Sequence, residues 1–390
     1  MRTTHGTTVH PHVVFDGRYI QDRYHGIGRY AFHLLQEAAA CAPGLRFGVL
    51  RDPALPDTRF DWSGLLALPN VSVEEVNAPL FGAREQIALT RTLGAHRGAL
   101  YHTPYFALPW LLPTRGLVTV HDCIFEHDPR YMPKRWARAY YHLLMTASLS
   151  RARAVFVPSR ATAADVRRFY GVRPGKMVIT PEAADETFYP VEDPATLVRV
   201  REKYNLPPDF VLAVGARRPH KNFARLVEAV ERLGDVEGAT LVFVGEADER
   251  FPDEAAAAAR SMGKRVRFIG KVPEADLPVL YSLATVFACP SLIEGFGLPV
   301  LEAMASGTPV VCSDIPVFRE VAGDAAVTAP PDDTGAWASA LRRVLSDPDL
   351  RDRLSRAGLT RASRFNWQRA AEAALRVYRR LGAPAPPAAE

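Results

Sequence analysis

The chain has 390 residues, of which 48% are hydrophobic and 23% are charged, and its formal net charge is +5. This length exceeds what one hydrophobic core usually covers, so about two domains are expected in an ordinary globular protein. No apolar stretch reaches the roughly 18–20 residues of a membrane span, and no block of Lys and Arg indicates a nucleic-acid partner. The mild positive charge suits a partner that bears phosphates.

The cysteines and the N-terminus indicate the compartment. Cys41, Cys123, Cys289 and Cys312 show no C-x-x-C spacing, and the last two lie in apolar runs typical of core positions. Scattered cysteines of this kind favour a reducing compartment. The polar N-terminus lacks the apolar segment of a secretory signal, so we predict a cytoplasmic protein.

The first half of the chain alternates short apolar runs with helical patterns. Helical periodicity covers residues 28–39 and 135–148, among others. The apolar runs predict strands at residues 12–16, 45–50, 71–76, 116–121, 153–158 and 176–180. Runs that are apolar on both faces and separated by helices predict a parallel sheet covered on both sides.

The second half repeats this pattern, and a polar, proline-bearing stretch at 184–196 is predicted to link the halves. The predicted strands are residues 210–215, 239–245, 266–270, 285–290 and 308–313. Two doubly wound α/β domains follow, with ligands expected at the carboxyl ends of their strands. The predicted limits are 1–188 and 197–365 for the two domains, 366–382 for a terminal helix and 383–390 for a disordered tail.

In the first half, "GRYIQDRYHGIGRYAFHLL" places Gly26, Ile27 and Gly28 between a strand and a helix. Tyr30 and Phe32 occupy the region where a third glycine of G-x-G-x-x-G would fall, so a dinucleotide fingerprint has weak support. The glycines are predicted to form a loop that closes over a phosphate or an acceptor.

The run "LVTVHDCIFEHDP" ends a buried strand in His121 and Asp122. A histidine at this end of a strand faces the ligand crevice in such an architecture, although a structural histidine fits the pattern equally well. A metal site of His121, Asp122, His127 and Asp128 has no support from a recognised ligand spacing. The turn "YHTPYFALP" (101–109) is either a structural turn or an acceptor contact.

The helix "KRWARAYYHLLMTASLSRAR" is basic and aromatic, so it could touch an anionic membrane. The spacing of its Tyr, Leu and Met residues favours packing against the core instead.

A cationic loop, "AVGARRPHKNFARL", follows the first strand of the second half. Gly215 ends the strand, and Arg217, Arg218 and Lys221 precede a helix that begins near Asn222. Arginine grips phosphate oxygens in pairs and lysine supplies a mobile charge. The loop is predicted to bind phosphate, with a solvated basic loop as the alternative.

The stretch "IEGFGLPVLEAMASG" sets Glu294 and Glu302 around a glycine turn at the start of a helix. Gly295, Phe296 and Gly297 form the turn, and Pro299 fits the first helical position. A turn of this kind offers free N–H groups and a helix dipole to an anion. A diphosphate there could carry a hydroxyl-bearing group on either side, each contacted by one glutamate, which suits a nucleotide-sugar. The alternative is a plain capping turn with solvated acids.

Together these stretches resemble the retaining GT-B glycosyltransferases of family 4, the "glycosyl transferase group 1" proteins. "PSLIEGFGLPVLEAMASGTPVV" is similar to that family's glutamate-pair motif and "VGARRPHKN" to its phosphate loop. "GIGRY", "VTVHD", "VPSRATAADV", "LYSLATVFACPS" and "FNWQRAA" follow in the family's order. The resemblance covers nearly the whole chain and implies two Rossmann-like domains facing a cleft, with the last helix crossing back to the first domain.

The resemblance also implies roles for the domains and their residues. The first domain would bind a hydroxyl-bearing acceptor and the second a nucleoside-diphosphate sugar. Glu302 would hold the ribose, Lys221 with one of Arg217 and Arg218 the diphosphate, and His121 would lie near the donor sugar. His121, Lys221 and Glu294 are the predicted catalytic residues. The transferred sugar would contact Glu294 and the backbone of Gly295, Phe296, Gly297 and Leu298, and Gly26 and Gly28 would face the cleft.

His220 occupies the position where the family often has arginine. Which of Arg217 and Arg218 binds the diphosphate in its place therefore stays open. No Asp-x-Asp metal motif occurs at a plausible site, so we expect neither a metal nor another cofactor, and the cationic side chains and the helix start must stabilise the leaving diphosphate. The family is commonly described as retaining the anomeric configuration by front-face attack. Alternatives are a nucleotide-sugar epimerase, a pseudo-glycosidic coupling enzyme, and a catalytically silent nucleotide-binding module.

Overall fold

The computed structural model describes residues 10–384 apart from 235, 237 and 238. Within these residues the strands form one seven-stranded and one six-stranded sheet, and every pair of neighbouring strands is parallel. The first sheet contains β1 Val13–Asp16, β2 Phe47–Arg51, β3 Val71–Glu75, β4 Leu100–Thr103, β5 Arg115–Thr119, β6 Ala154–Val157 and β7 Met177–Ile179. The second contains β8 Val211–Val214, β9 Leu241–Val244, β10 Val266–Phe268, β11 Val286–Cys289, β12 Val310–Ser313 and β13 Val327–Ala329.

Helices connect the strands and cover both faces of each sheet. Those of the first half are α1 His25–Cys41, α2 Ser63–Leu66, α3 Ala83–Ala95, α4 Ile124–His127, α5 Arg135–Arg151 and α6 Arg160–Tyr170. Those that follow are α7 Pro194–Lys203, α8 Phe223–Glu231, α9 Glu254–Ala258, α10 Leu277–Leu283, α11 Leu298–Ala305, α12 Pro316–Val321, α13 Thr334–Ser346, α14 Pro348–Ala362 and α15 Trp367–Arg380.

The predicted strands all exist, and the structure adds two more. β4 and β13, of four and three residues, lie outside the predicted runs. The glycine loop at 26–28 was predicted wrongly. Helix α1 begins at residue 25, so Gly26 and Gly28 lie in its first turn, and the N–H of Gly28 donates to the carbonyl of Tyr24 at 2.6 Å.

The two domains reproduce one another in strand order. The first sheet runs β3-β2-β1-β4-β5-β6-β7 and the second β10-β9-β8-β11-β12-β13. In each sheet the first three strands run from the middle of the sheet to one edge. The fourth strand then pairs with the other side of the first strand, and the later strands continue in that direction. The point of reversal lies between β1 and β4 in the first sheet and between β8 and β11 in the second. A crevice opens at such a point, beyond the carboxyl ends of the strands.

Helix α15 belongs in space to the first domain although it ends the chain. Its side chains Trp367, Ala370, Ala374 and Tyr378 share a buried cluster with Phe15 and other residues of α1 and β1. The predicted crossing of the last helix back to the first domain is therefore confirmed. The helix begins at a regular cap, because Asn366 Oδ1 accepts from the N–H of Arg369 at 2.9 Å.

The predictions for the cysteines, the linker and the tail have different outcomes. Cys289 and Cys312 are buried, at 4% and 0% exposure, as predicted. Residues 184–193 contain no helix or strand, and α7 follows at once. The exact domain limits stay a prediction, and the predicted tail lies outside the described residues from 385 onward. In the described part of the chain, no helix combines the length and the apolar character needed to cross a bilayer.

His102, in β4, fixes helix α15 to the first sheet. Its ring is fully buried, with Nδ1 2.6 Å from Tyr378 Oη and Nε2 3.1 Å from Thr119 Oγ1. Burial lowers the pKa of His102 to about 3. His102 belongs to the stretch 101–109, which was interpreted as either a structural turn or an acceptor contact. Because its ring is buried and bonded within the first domain, His102 has a structural role.

This pKa predicts acid sensitivity. Between pH 6.5 and 3 the unfolded histidine is protonated and the folded one is not, so the stabilising contribution present above pH 6.5 is lost as pH falls. At pH 5 the loss from His102 is about 2 kcal/mol. Thermal unfolding of His102→Gln should show a lower Tm at neutral pH but a shallower decline toward pH 5 than the parent. An equal slope in both proteins would contradict the assignment.

Candidate active site

The candidate site lies at the reversal point of the second sheet. The loop after β8 contains Lys221, and the segment after β11 contains Glu294 and leads into α11. Because β8 and β11 are neighbours in the sheet, both loops emerge side by side at its carboxyl edge. The fold thus brings these two stretches of the sequence together at one edge of the sheet.

Lys221 and Glu294 form a largely buried ion pair. Lys221 Nζ lies 2.6 Å from Glu294 Oε1, which also accepts from Ser291 Oγ at 2.7 Å. The two charged side chains are 15% and 10% exposed. Burial would raise the pKa of Glu294, but the charge and hydrogen bond of Lys221, together with the hydrogen bond from Ser291 and other contacts, outweigh burial, so the pKa is lowered. Burial likewise opposes the charge of Lys221, and Glu294 raises its pKa. Both groups are therefore held in their charged forms.

The glycine turn adopts a backbone conformation that glycine allows. Gly297 precedes the first residue of α11 with φ +96°, a region that side chains rarely adopt. A Cβ there would also come within 2.5 Å of the Phe318 ring. Pro299 is the second residue of the helix rather than the predicted first, where its missing N–H still costs nothing.

Gly295 lies where the two domains approach each other closely. A Cβ at this position would lie 1.9 Å from the backbone carbonyl oxygen of His121. The carbonyl of Gly295 accepts from Ser159 Oγ at 2.7 Å and from Thr162 Oγ1 at 2.9 Å, both at the start of α6. The turn that faces the crevice is therefore also a contact through which the first domain is held against the second.

Glu302 is buried, at 4% exposure, and both of its carboxylate oxygens have protein partners. Arg29 of α1 donates to Oε1 across the domain boundary, and Tyr281 Oη donates to Oε2 at 3.0 Å. Arg29 also bonds to Glu274 at 3.0 Å, and Arg59 bonds to the same carboxylate. The residue predicted to hold a ribose is thus also an anchor between the domains.

Arg29 compensates the buried charge of Glu302, and its removal should be costly. Burial raises the pKa of Glu302, and the charge of Arg29 opposes the shift. In Arg29→Met the pKa rises further, so the folded state holds a proton that the unfolded state releases. Stability is then retained at low pH and lost as pH rises. We expect a loss of about 3 kcal/mol near pH 8, smaller near pH 5.5, in denaturant unfolding.

The double variant Arg29→Met/Glu302→Gln supplies the control for this prediction. It removes the carboxylate that Arg29 neutralises, so most of the lost stability and its pH dependence should return. A loss that is the same at both pH values, or that persists in the double variant, would mean that Arg29 contributes by packing rather than by charge.

The two arginines of the cationic loop differ in their surroundings. Arg217 bonds through Nε to Asp253 and through Nη1 to the carbonyl of Gly245, both at 2.9 Å, and its guanidinium lies over the Phe268 ring. Arg218 is 40% exposed and bonds through Nε to Asp248 at 2.8 Å. The charge of Arg218 acts on Asp122, His220 and Lys221, so Arg218 is the arginine nearer the ion pair.

His121 has its ring directed into the first domain. Nε2 lies 2.9 Å from the carbonyl of Pro104, so this nitrogen carries a proton, and Nδ1 lies 3.4 Å from Glu182. Its backbone carbonyl, by contrast, meets Gly295. Asp122 follows it, and partial burial raises the pKa of that carboxyl, with Glu294 adding to the shift. The structure therefore brings His121 and Asp122 to the boundary with the glycine turn; a catalytic role for the ring stays a prediction.

Sequence reasoning missed several residues of this site. Arg29 stands inside "GIGRY" and Ser291 inside "PSLIEG", so each lay in a stretch already marked as functional. The side chains that they contact could not be predicted from periodicity. Tyr281 and Ser159 also lay in quoted stretches, "LYSLATVFACPS" and "VPSRATAADV", whereas Glu274 gave no local signal; the roles of all three arise only when separate elements meet. Among the described residues, no three His, Cys, Asp or Glu side chains are grouped closely enough to hold a metal ion.

The comparisons with known proteins identify the family. Residues 198–361 match the family Glycosyl transferases group 1, and residues 24–188 match Glycosyltransferase Family 4. The O-antigen chain mannosyltransferase B of Escherichia coli is 31% identical over 290 residues, which cover 73% of this chain and 75% of that protein. The chain is a family 4, group 1 glycosyltransferase. The predicted family and the prediction of an enzyme are both confirmed.

A second relative of this glycosyltransferase is the O-antigen chain mannosyltransferase RfbU of Salmonella typhimurium. It is 31% identical over 239 residues, covering 61% of this chain and 63% of that protein.

Solved structures confirm the GT-B fold of the glycosyltransferase. Sucrose-phosphate synthase from Thermosynechococcus elongatus superimposes with a TM-score of 0.73 at 24% identity, covering 95% of this chain and 98% of that one. WaaG, a glycosyltransferase involved in lipopolysaccharide biosynthesis, gives a TM-score of 0.72 at 18% identity, with coverages of 94% and 99%. At these identities the likeness concerns the fold alone.

Proposed function

We propose that this glycosyltransferase moves a mannosyl residue from a nucleoside-diphosphate sugar, with GDP-mannose as the leading candidate, to an acceptor hydroxyl. The observation that carries the donor class is the buried Lys221–Glu294 pair beside the glycine turn of α11. The choice of mannose rests on relatives named as O-antigen chain mannosyltransferases. We infer that transfer retains the anomeric configuration and needs no metal.

The proposed reaction uses positioned charge rather than a covalent intermediate. The bond between the sugar C1 and the diphosphate oxygen breaks while a bond from C1 to the acceptor oxygen forms on the same face. The acceptor's proton passes to the departing phosphate oxygen. Lys221 and the free N–H groups at the start of α11 stabilise the negative charge that develops there. Glu294 orients Lys221 and accepts from hydroxyls of the transferred sugar.

Glu302 can hold the ribose while it remains bonded to Arg29. Each carboxylate oxygen has two lone pairs, so Oε1 and Oε2 can each accept one further hydrogen bond from a ribose hydroxyl. The proposal therefore does not require Arg29 to leave, and it makes the domain boundary part of the nucleotide site.

Arg218 is the proposed second ligand of the diphosphate. Its Nε is bonded to Asp248, which leaves the outer edge of the guanidinium as the part able to reach a phosphate, whereas Arg217 is stacked on Phe268 and bonded on two sides. We expect Arg218→Ala to raise the donor KM about tenfold or more, since a charge-assisted bond contributes about 1.5–3 kcal/mol. Initial rates against donor concentration measure this.

Arg217→Ala is the matched comparison for this prediction. It should lower Tm through the loss of its contacts to Asp253 and Phe268 and should change the donor KM less than Arg218→Ala does. The reverse order of effects on KM would assign the diphosphate to Arg217.

The acceptor is proposed to lie on a group of aromatic side chains in the first domain. Tyr105 follows β4, its ring is 5.1 Å from Tyr19 and 5.7 Å from Phe81, and Tyr24 lies 6.3 Å away. Pro104, next to Tyr105, accepts from His121, whose carbonyl meets Gly295. The aromatic group is thereby continuous with the donor turn, where an acceptor hydroxyl must approach.

Direct assay tests the proposed function. The purified protein is incubated with GDP-mannose, UDP-glucose or dTDP-glucose and a saccharide acceptor panel, with and without EDTA, and the anomeric configuration of the product is read by NMR. Transfer from GDP-mannose that survives EDTA and gives the α-mannoside supports every part of the proposal. A β-linked product would overturn retention, loss of activity in EDTA would overturn metal independence, and turnover confined to another donor would overturn the choice of mannose.

A further inference from the structure

Phe81, just before α3, has a backbone conformation that a bulky residue rarely adopts. Its φ is +64°, and the two other described non-glycine residues with positive φ are Asn205 and Asn222. Asparagine tolerates this left-handed region, whereas a bulky residue pays for it in free energy. The adjacent Gly82 would adopt a positive φ without that cost, yet its own φ is −103°. The strain at Phe81 is therefore imposed by its surroundings.

Glu85 holds the strained backbone in place. The N–H of Phe81 donates to Glu85 Oε2 at 2.6 Å, and Arg18 Nη2 donates to Glu85 Oε1 at 2.9 Å. Arg18 is fixed in turn by Asp16 at the end of β1, through bonds of 2.8 Å from Nε and 2.7 Å from Nη2. The three charged side chains are at most 7% exposed. The position of Phe81 is thus tied to the first strand of the sheet.

Charge balance does not explain the presence of Glu85. Asp16 already neutralises Arg18 with two hydrogen bonds, so Glu85 adds a second buried carboxylate to one buried cation. Burial raises the pKa of Glu85; Arg18 opposes the shift and Asp16 adds to it. A buried carboxylate in excess is unfavourable for stability. What Glu85 contributes beyond Asp16 is its hydrogen bond to the backbone of Phe81.

The start of helix α3 does not explain this arrangement either. In a capping box, the acid at the third helical position bonds to the N–H of the cap residue, which here is Gly82. Glu85 bonds to Phe81 instead. A hydrophobic residue before the cap usually packs on the fourth helical residue, but that residue is the polar Gln86.

The ring of Phe81 extends the aromatic group that is proposed to bind the acceptor. It is 46% exposed and lies 5.7 Å from the Tyr105 ring, at an interplanar angle of 67°. Pro104, next to Tyr105, accepts from His121. The carbonyl of His121 meets Gly295 of the donor turn. In this series of contacts Phe81 is one aromatic side chain farther from the donor turn than Tyr105.

We propose that Phe81 binds the second sugar ring of an oligosaccharide acceptor and that Glu85 is the residue that positions it. The inference rests on the proposed function, in which the acceptor lies on the aromatic side chains around Tyr105. The C–H groups on one face of a pyranose carry partial positive charge and stack on the negative face of an aromatic ring. The sugar that receives the transferred residue lies nearer the donor turn, so Phe81 contacts the sugar that precedes it. Strained residues of this kind occur at ligand clamps.

Kinetics with acceptors of different length test the proposal. The acceptor KM is measured at saturating GDP-mannose for methyl glycosides of mono- and trisaccharides of mannose, galactose and N-acetylglucosamine. The best trisaccharide should have a KM about tenfold or more below that of its monosaccharide, and Phe81→Ala should remove most of this advantage. The donor KM should not change. An equal effect of Phe81→Ala on both acceptor lengths would contradict a subsite for the second sugar.

Glu85→Gln tests the positioning role. An amide has one acceptor oxygen and one donor nitrogen, so it cannot accept from both Phe81 and Arg18. The domain should stay folded, because Asp16 still neutralises Arg18. We expect a severalfold rise in the trisaccharide KM, and Phe81→Ala/Glu85→Gln should be no worse than Phe81→Ala alone. A further loss in the double variant would mean that Glu85 does not act through Phe81.

Phe81→Gly separates backbone strain from sugar binding. Glycine adopts a positive φ at no steric cost, so this variant should have a Tm about 1–2 °C above that of Phe81→Ala. Both variants lack the ring and should lose the trisaccharide advantage equally. A Tm of Phe81→Gly at or below that of Phe81→Ala would overturn the inference that Glu85 holds a strained backbone.

Phe81→Trp supplies a readout that does not depend on the donor. It keeps an aromatic ring, so the low trisaccharide KM should remain, and stacking of the sugar should shift its fluorescence to shorter wavelength relative to the parent. Tyr140→Ala, which removes a ring of α5 that is 50% exposed, is the matched control and should behave as the parent. A shift without turnover of GDP-mannose would refute only the proposed donor. If no trisaccharide shifts the emission, the role of Phe81 is refuted whatever the donor is.

Discussion

Replacing Gly295 by alanine is expected to lower kcat/KM by about 100-fold or more while leaving the fold of each domain intact. The new methyl group would lie 1.9 Å from the carbonyl oxygen of His121 and 3.0 Å from Cβ of Asp122. Neither obstacle is the end of a flexible side chain. The two domains must therefore separate at this contact by more than 1 Å.

Such a separation should act more on catalysis than on donor binding. The proposed donor ligands belong to the second domain and keep their positions, whereas the acceptor side moves away from them. A displacement of about 1 Å between reacting groups can cost 100-fold in rate. We therefore expect kcat to fall more than the donor affinity measured by calorimetry. The hydrogen bonds from Ser159 and Thr162 to the carbonyl of Gly295 should weaken as well.

Gly94→Ala is the control for this prediction. Gly94 lies within α3, and a Cβ there meets nothing within 4 Å, so activity should be that of the parent. Small-angle scattering should show a more open arrangement for Gly295→Ala and an unchanged one for Gly94→Ala. Parental activity of Gly295→Ala would show that the approach of His121 to the glycine turn is not used in turnover.

Much of the fold could be predicted from the sequence because parallel strands buried on both faces leave a clear local pattern. The runs at 210–215 and 285–290 needed no tertiary information to be recognised. β13, which has three residues of which only Ala329 is buried, was missed. The first turn of α1 was misjudged because two glycines disfavour a helix locally, whereas the contacts of α1 with α15 and of Arg29 with Glu302 favour it.

Some features of the candidate site could also be predicted from the sequence, and others could not. Lys221, Glu294 and the glycine turn could be predicted because each lies at the carboxyl end of a strand, and adjacent strand ends meet at one edge. The second role of Gly295 and Glu302, as contacts between the domains, could not be predicted, because it depends on how the first domain packs against the second. On α5 the apolar positions follow two separate helical stripes, and periodicity alone does not say which stripe faces the core.

Loss of the Lys221 charge is the other large effect that we expect. Lys221→Met should reduce kcat about 100- to 1000-fold, the range found when a group that stabilises developing negative charge is removed. It also leaves Glu294 buried without its cation. The pKa of Glu294 then rises, because burial is no longer opposed, and breaking a buried pair costs about 3–5 kcal/mol in stability at neutral pH.

The variant Lys221→Met/Glu294→Gln separates these two effects. It removes the uncompensated carboxylate, so the Tm should return most of the way toward that of the parent, while kcat should remain low because the cation is still missing. Lys203→Met, which breaks the pair between the exposed Lys203 and the buried Asp276 at 2.5 Å, should keep full activity. If the double variant regained activity along with stability, Lys221 would be a structural partner of Glu294 and the stabilisation of the leaving diphosphate would have to come from Arg218 and the helix start.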